Sequence, residues 1–200
     1  KVSLNKLKIL ELYSCDVQTV AALEVPKIKA FKVNFCDDFG YKAVETITKW
    51  KTLKYLWLEH ISKEMKTYPE AITTLNLDTL LINGKNSKRE IPQWLGTMKS
   101  LRVLGIEGFK QRTLPKELAT LTQLEVLSIT GCEFQVRISE EFKNLNLKKL
   151  IYWTSKFSGS NMKYELYEPL VGKCIPQRYL DDKDKITPFK LASKDVLNGF

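Results

Sequence analysis

His60 is the only histidine of the chain, and it directly follows Glu59. An imidazole beside a carboxylate can transfer protons as a general acid–base pair. A surface histidine at a turn is the ordinary alternative, and the sequence places no serine or cysteine nucleophile next to the pair. Gly84-Lys85 lacks the upstream glycine that a phosphate-binding loop requires. We therefore expect no enzymatic activity and no bound cofactor.

The four cysteines lack the close pairing that binds zinc or cross-links small secreted domains. Cys15, Cys36 and Cys132 each end the same short apolar motif, and Cys174 falls outside it. We expect the first three thiols to be free, inaccessible and directed inward, where they can bond backbone groups that a turn leaves unpaired. This cysteine usage predicts a reducing, cytoplasmic setting. No apolar run reaches the ~18 residues of a membrane span, so no membrane contact is expected.

The motif is Leu-x-x-Leu-x-Leu-x-x-Asn/Cys, and it recurs at intervals of roughly 21 to 25 residues, inside the range of leucine-rich repeats. Its seven copies begin at Leu7, Ile28, Leu53, Leu77, Leu101, Leu124 and Leu147. Each copy predicts one short parallel strand, because alternate residues of a strand share a face. The chain is therefore predicted to be an α/β solenoid. We expect a leucine-rich-repeat horseshoe with about seven parallel strands on the concave face and helices or short turns on the convex face.

The segments that return between the strands are expected to differ along the chain. Apolar spacing predicts a helix over 41–50 and a shorter one over 68–74. Three later returns predict only one-turn segments, at 91–95, 114–118 and 138–142. The insert over 85–90 follows a turn signal and is expected to be an exposed loop.

Two regions are predicted, a repeat domain over 1–157 and a C-terminal cap with a tail over 158–200. Leu4 precedes Leu7 as Leu121 precedes Leu124. We therefore expect the pattern to continue from an earlier repeat, and a degenerate cap is the alternative.

Side chains between the buried positions of each strand are expected to face the concave side. Aligning the copies groups aromatic and large apolar residues in the first four strands and again at the far end. The residues predicted to bind a partner are Tyr13, Phe35, Tyr55, Trp57, Leu81, Ile151 and Trp153. Grouped exposed aromatics mark interaction sites, although a covering domain would also explain them. We expect a protein partner on the concave face.

The net charge of +9 is also placed unevenly. Basic residues gather where each strand begins, and the same segments contain only two acids, Asp78 and Glu125. The predicted basic rim consists of Lys6, Lys8, Lys27, Lys29, Lys51, Lys54, Lys99, Arg102 and Lys148. A continuous ridge of one sign favours an acidic protein or a phosphate backbone. The alternative function is therefore a structural subunit of a ribonucleoprotein or other large assembly. The pattern indicates no oligomeric state.

Segments 91–101 and 114–124 read IPQWLGTMKSL and LPKELATLTQL, and they resemble cytosolic leucine-rich repeats. They are most similar to the repeats of plant-type intracellular nucleotide-binding immune receptors, and SITGC at 128–132 suits the same group. The resemblance to the repeat class covers residues 4 to about 157 and implies a horseshoe that binds other macromolecules. The resemblance to the receptors implies a ligand-sensing repeat domain. The chain departs from that family in its irregular, lysine-rich first repeats, and it contains no nucleotide-binding module.

Overall fold

The computed structural model describes residues 2–15, 17–85, 89–132 and 138–153, without the side chains of 17–19, 152 and 153. In chain order, the strands are β1 (Val2–Ser3), β2 (Ile9–Tyr13), β3 (Leu23–Glu24), β4 (Ala30–Cys36), β5 (Tyr55–Ile61), β6 (Thr79–Asn83), β7 (Val103–Glu107), β8 (Val126–Thr130) and β9 (Lys149–Trp153). Strands β1 and β3 pair with each other, and the other seven form one parallel sheet in chain order. The predicted set of seven parallel strands is confirmed. The predicted cap, its boundary at 157 and Cys174 lie outside the described residues.

Equivalent residues of neighbouring strands lie side by side across the sheet. Ile9 is aligned with Ala30 and Ala30 with Tyr55, and the same row continues to Lys149 on β9. The register predicted from the motif is therefore confirmed. A slip of one residue would turn every apolar side chain of a strand to the wrong face, which explains why the motif determines the pairing.

The core lies on the face of the sheet that carries the recurring apolar positions. Leu56 and Leu58 of β5 are fully buried there, as are Leu104 and Ile106 of β7. Burying one such side chain contributes about 1.5–3 kcal/mol. The intervening residues of each strand form the opposite face, which we call the outer face.

Helix α1 (Tyr41–Ile47) follows β4 and buries Val44 and Ile47 in the core. It ends before the predicted limit at Trp50, because the Trp50 N–H already bonds the Ile47 carbonyl in a tighter turn. The Trp50 ring is held instead by an edge-on contact with Phe31, with the ring centroids 5.2 Å apart.

The other returns in the described residues contain 3-10 helices. They span Val17–Ala22, Glu70–Thr74, Gln93–Thr97, Lys116–Thr120 and Glu140–Asn144. Pro69, Pro92 and Pro115 stand immediately before three of them. Proline is favourable there because its φ is fixed and because the N–H that it lacks is not needed for a hydrogen bond within the helix. The predicted one-turn segments are therefore confirmed.

The outer face carries a second apolar cluster, which corrects the prediction that its large side chains are exposed. Tyr55 is only 3% exposed and Leu81 only 5% exposed, and both cluster with Ala30. Side chains on adjacent strands stand about 4.8 Å apart and cover one another. Leu81 lies over Gly105, where an added Cβ would come 2.2 Å from its Cδ2 atom.

The predicted exposed loop over 85–90 is wrong at Arg89, which is buried. The Arg89 Nε donates a hydrogen bond to the Met65 carbonyl at 2.6 Å. Its Nη2 donates to the carbonyls of Ile61 and Ser62, where β5 ends. Hydrogen bonds to these three carbonyl groups therefore stabilise the buried guanidinium group of Arg89. Residues 86–88 lie outside the described part.

The thiols of Cys15, Cys36 and Cys132 are free, as predicted. Cys36 Sγ accepts a hydrogen bond from the Cys15 backbone N–H at 3.4 Å and donates to the Asn34 carbonyl at 3.5 Å. Cys36 and Cys132 are buried, but Cys15 is exposed, so the prediction of three inaccessible thiols is wrong for Cys15. Cys15 follows β2, which is an edge strand of the seven-stranded sheet within the described residues.

Candidate functional site

One backbone conformation recurs where the strands of the sheet end. Ser14, Phe35 and His60 have φ values of 49°, 55° and 45°, and Gly108 and Gly131 have 68° and 65°. Glycine adopts this left-handed region freely, whereas other residues pay about 1–2 kcal/mol. The first strands of the sheet therefore carry side chains at a position where glycine would be more stable. Strain of this kind concentrates at functional sites.

Phe35 is the most exposed large apolar side chain in the described part of the chain, at 57%. Its ring stacks on the His60 imidazole, with centroids 4.3 Å apart and ring planes 10° from parallel. The stack covers one face of the Phe35 ring and leaves the other side open to solvent. The left-handed backbone of both residues thus holds two rings together at the end of the sheet.

His60 is held by polar contacts to Asn34 of β4 and to Glu59 of its own strand. Its Nδ1 atom lies 3.1 Å from Asn34 Oδ1 and 3.5 Å from Glu59 Oε1. The Asn34 Nδ2 group donates to Glu59 Oε2 at 3.0 Å. Burial and the positive charge of Lys85 lower the pKa of His60. Burial and the negative charge of Glu107 raise the pKa of Glu59. Both shifts favour the neutral forms, and His60 and Glu59 lie with Asn34 in one hydrogen-bonded group beside the Phe35 ring.

A lysine is enclosed between two aromatic rings next to this network. Lys32 is buried, and its Nζ atom lies 3.6 Å from the Trp57 ring centroid and 4.8 Å from that of Tyr13. Burial lowers the pKa of Lys32, while the charges of Glu11 and Glu59 act in the opposite direction. A cation enclosed in this way attracts the negative faces of both rings.

Tyr13 completes the group from the edge strand. Its hydroxyl donates a hydrogen bond to Glu11 Oε2 at 2.9 Å, and its side chain is 46% exposed. Burial and this bond raise the pKa of Tyr13 to about 12. Tyr13, Phe35, His60 and the half-buried Trp57 are linked through Lys32, Asn34 and Glu59, and we call these four residues the aromatic surface.

The predicted binding residues divide into four groups. Tyr13 and Phe35 are exposed as expected, and Trp57 is half-buried. Tyr55 and Leu81 are buried beneath the outer face. Ile151 is half-buried on β9, six strands from Tyr13 in the sheet order. The side chain of Trp153 is outside the description.

Sequence reasoning missed that Lys32, Asn34 and Glu59 join the rings into one group. A signal was available, because the same alignment places Lys32 beside Trp57 and Asn34 beside Glu59. Exposed large apolar side chains in the described residues are confined to the beginning of the chain, at Val2, Leu4, Tyr13, Phe35 and Tyr41.

The basic rim is continuous only across the first three strands of the sheet. Its main row is Lys8, Lys29, Lys54, Asp78, Arg102, Glu125 and Lys148, in which the backbone N–H of each residue donates to the carbonyl of the preceding one at 2.7–2.9 Å. Arg102 Nη2 and Lys148 Nζ lie 2.7 and 3.1 Å from the Glu125 carboxylate, and they contribute to lowering its pKa. Lys54 lies 3.7 Å from Asp78. The predicted single-sign ridge is therefore wrong for the later strands, where charges alternate and pair.

The remaining rim residues differ in their contacts. Lys51 and Lys99 donate to carbonyls of the next return, at Thr74 and Thr120. Lys6 and Lys27 are exposed beside the first two strands of the sheet.

Three further findings concern metal binding, membrane spans and the comparison with known proteins. The described residues contain no group of three or more His, Cys, Asp or Glu side chains arranged to hold a metal ion. None of the helices within the described ranges has the length and apolar character needed to cross a bilayer. No protein-family model and no curated protein sequence matches the chain.

Proposed function

We propose that the chain is a non-enzymatic leucine-rich-repeat module that binds a protein partner through the aromatic surface. The observation that carries this proposal is Phe35, an exposed aromatic ring held in a strained backbone conformation against His60. Exposed large rings are favoured as anchors of protein interfaces. A ring that is already stacked also loses less conformational freedom on binding than a mobile one.

The architecture is compatible with a leucine-rich-repeat horseshoe. Seven parallel strands follow one another in chain order, and short 3-10 helices connect most of them on the side of the core. The free thiols suit the reducing cytoplasmic setting that we propose. In such a horseshoe the outer face would be the concave side, and the aromatic surface would lie at its N-terminal end.

The test is partner capture with a matched pair of variants. Phe35→Ala should weaken binding of the captured protein by more than about 1 kcal/mol, as loss of an interface anchor does. Tyr41→Ala is the control, because Tyr41 is exposed to a similar degree but begins α1, away from the aromatic surface. Thermal unfolding establishes that both variants fold. Equal affinity of wild type and Phe35→Ala for every captured protein would refute the proposal.

A second candidate function, attachment to a phosphate backbone, is favoured by the adjacent Lys8, Lys29 and Lys54. RNA affinity would then fall with salt, with a slope of about −0.7 to −0.9 in log K for each phosphate neutralised. Replacing the three lysines by glutamate should abolish it. The control is the double change Arg102→Glu/Lys148→Glu, because those two cations already share Glu125. Equal loss in both variants, or no RNA binding, would exclude this function.

A further inference from the structure

The aromatic surface lies in an acidic neighbourhood although the chain carries a net charge of +9. Glu11, Asp37 and Asp38 are exposed, and each lies within three residues of Tyr13 or Phe35 in the sequence. The negative charge of Asp37 acts to raise the pKa of His60, against the effect of burial. Glu59 and Glu107 lie further along the same ends of the strands. The chemistry of a partner that fits the exposed rings is therefore set by local charge.

The two ammonium groups of this neighbourhood are already engaged. Lys32 lies between the Tyr13 and Trp57 rings. Lys85 forms an ion pair with Glu107. Lys32 and Lys85 therefore offset part of the negative charge of this neighbourhood, but the five carboxylates named above outnumber them.

A contact within the chain indicates which kind of group binds against these rings. Lys32 places its cation against two aromatic faces, with Glu11 and Glu59 close enough to act on its charge. The open side of the Phe35 ring offers a second aromatic face of the same kind. The His60 ring beneath it favours its neutral form, because burial lowers the His60 pKa, so it does not repel an approaching cation.

The basic rim is too distant to reverse this preference. Lys29 directly precedes β4 and stands six residues before Phe35, which corresponds to about 20 Å at ~3.3 Å per residue. That distance is about two Debye lengths at physiological salt, so the field of the rim is largely screened at the rings.

We propose that the partner presents an arginine-bearing, basic protein segment to the aromatic surface. The guanidinium group lies against the open face of Phe35, with its charge toward Asp37 and in the wider acidic neighbourhood that includes Glu11. Arginine fits better than lysine because its planar group stacks on a ring while it donates to carboxylates. This inference rests on the proposed function and names the partner class.

The probe is a fluorescently labelled hexa-arginine peptide, capped at both ends and titrated with the full chain in anisotropy measurements. Phe35→Leu keeps an apolar side chain but removes the ring, and Glu11→Gln/Asp37→Asn removes two charges. Each variant should raise Kd about threefold or more. The control Glu117→Gln/Glu141→Gln removes the same charge from two 3-10 helices and should leave Kd unchanged.

No measurable binding, equal weakening by the control, or equally tight binding of a labelled hexaglutamate peptide measured separately would overturn the inference. The natural partner separates the two proposals. If Phe35→Ala abolishes partner capture but the segment cross-linked at position 35 lacks arginine, the inference fails and the proposed function stands. If Phe35→Ala leaves partner capture unchanged, the proposed function itself fails.

Discussion

Replacing Phe35 by glycine should give a more stable protein than replacing it by alanine. Both changes remove the ring and its stack on His60, so these losses cancel when the two variants are compared. Alanine retains the left-handed strain at φ 55°, worth about 1–2 kcal/mol. Glycine relieves the strain but loses about 0.5–1 kcal/mol through the greater freedom of the unfolded chain. The balance favours glycine by about 0.5–1 kcal/mol.

The assay is urea unfolding of both variants, with Thr130→Ala and Thr130→Gly as the reference pair. Thr130 lies in β8 and is not among the residues with positive φ. At an ordinary strand position glycine is less stable than alanine by about 0.5–1 kcal/mol, so the order should reverse between the two positions. If alanine is the more stable residue at position 35 as well, the strain argument is wrong.

Four further predictions concern packing and titration. Leu104→Ala should lower the free energy of unfolding by about 2–5 kcal/mol because Leu104 is fully buried, and a loss below ~0.5 kcal/mol would contradict the register. Tyr55→Ala should cost about 3–5 kcal/mol, whereas a neutral effect would show that the outer-face cluster adds no stability. Native Cys15 should react with a thiol reagent while Cys132 does not, because burial raises the Cys132 pKa to about 12; equal rates would refute this. The imidazole NMR signal of His60 should titrate below ~6.5, because burial and a nearby ammonium group lower its pKa. The unfolded chain then binds this proton more readily, so stability should fall as the pH drops below ~6.5. His60→Gln should reduce that slope, and an unchanged slope would contradict the assignment.

The strand register was predictable from sequence because it depends on a short-range pattern. Apolar residues at fixed spacing can be buried together in only one alignment, so Leu104 and its equivalents identify every strand of the sheet. Proline at 69, 92 and 115 likewise indicated where the short returns begin. Both features are determined by residues that are close together in the chain.

The composition of the candidate site was only partly predictable, because it depends on contacts between strands. The position of Tyr55 on the outer face leads us to expect an exposed side chain. Tyr55 is instead buried, because it packs against Leu81 and Ala30 from two other strands. Arg89 is a charged residue in an insert, yet its side chain is buried because it donates hydrogen bonds to carbonyl groups more than twenty residues earlier in the chain. Burial of Lys32 requires two rings whose orientation no single strand reveals.

The left-handed position at the ends of β2, β4, β5, β7 and β8 has a consequence for protein engineering. A side chain placed there projects from the sheet without entering the core, so it can be changed without repacking the interior. Gly131 has no side chain at this position, and a Cβ added there would lie 3.6 Å from the Gly108 backbone, which is an ordinary contact distance. Asparagine tolerates this conformation better than most residues. A side chain can therefore be added at Gly131, whereas at Gly108 an added Cβ would lie 2.3 Å from Lys85 Cγ, so a binding surface built on this position can be extended at chosen strands and not at every one.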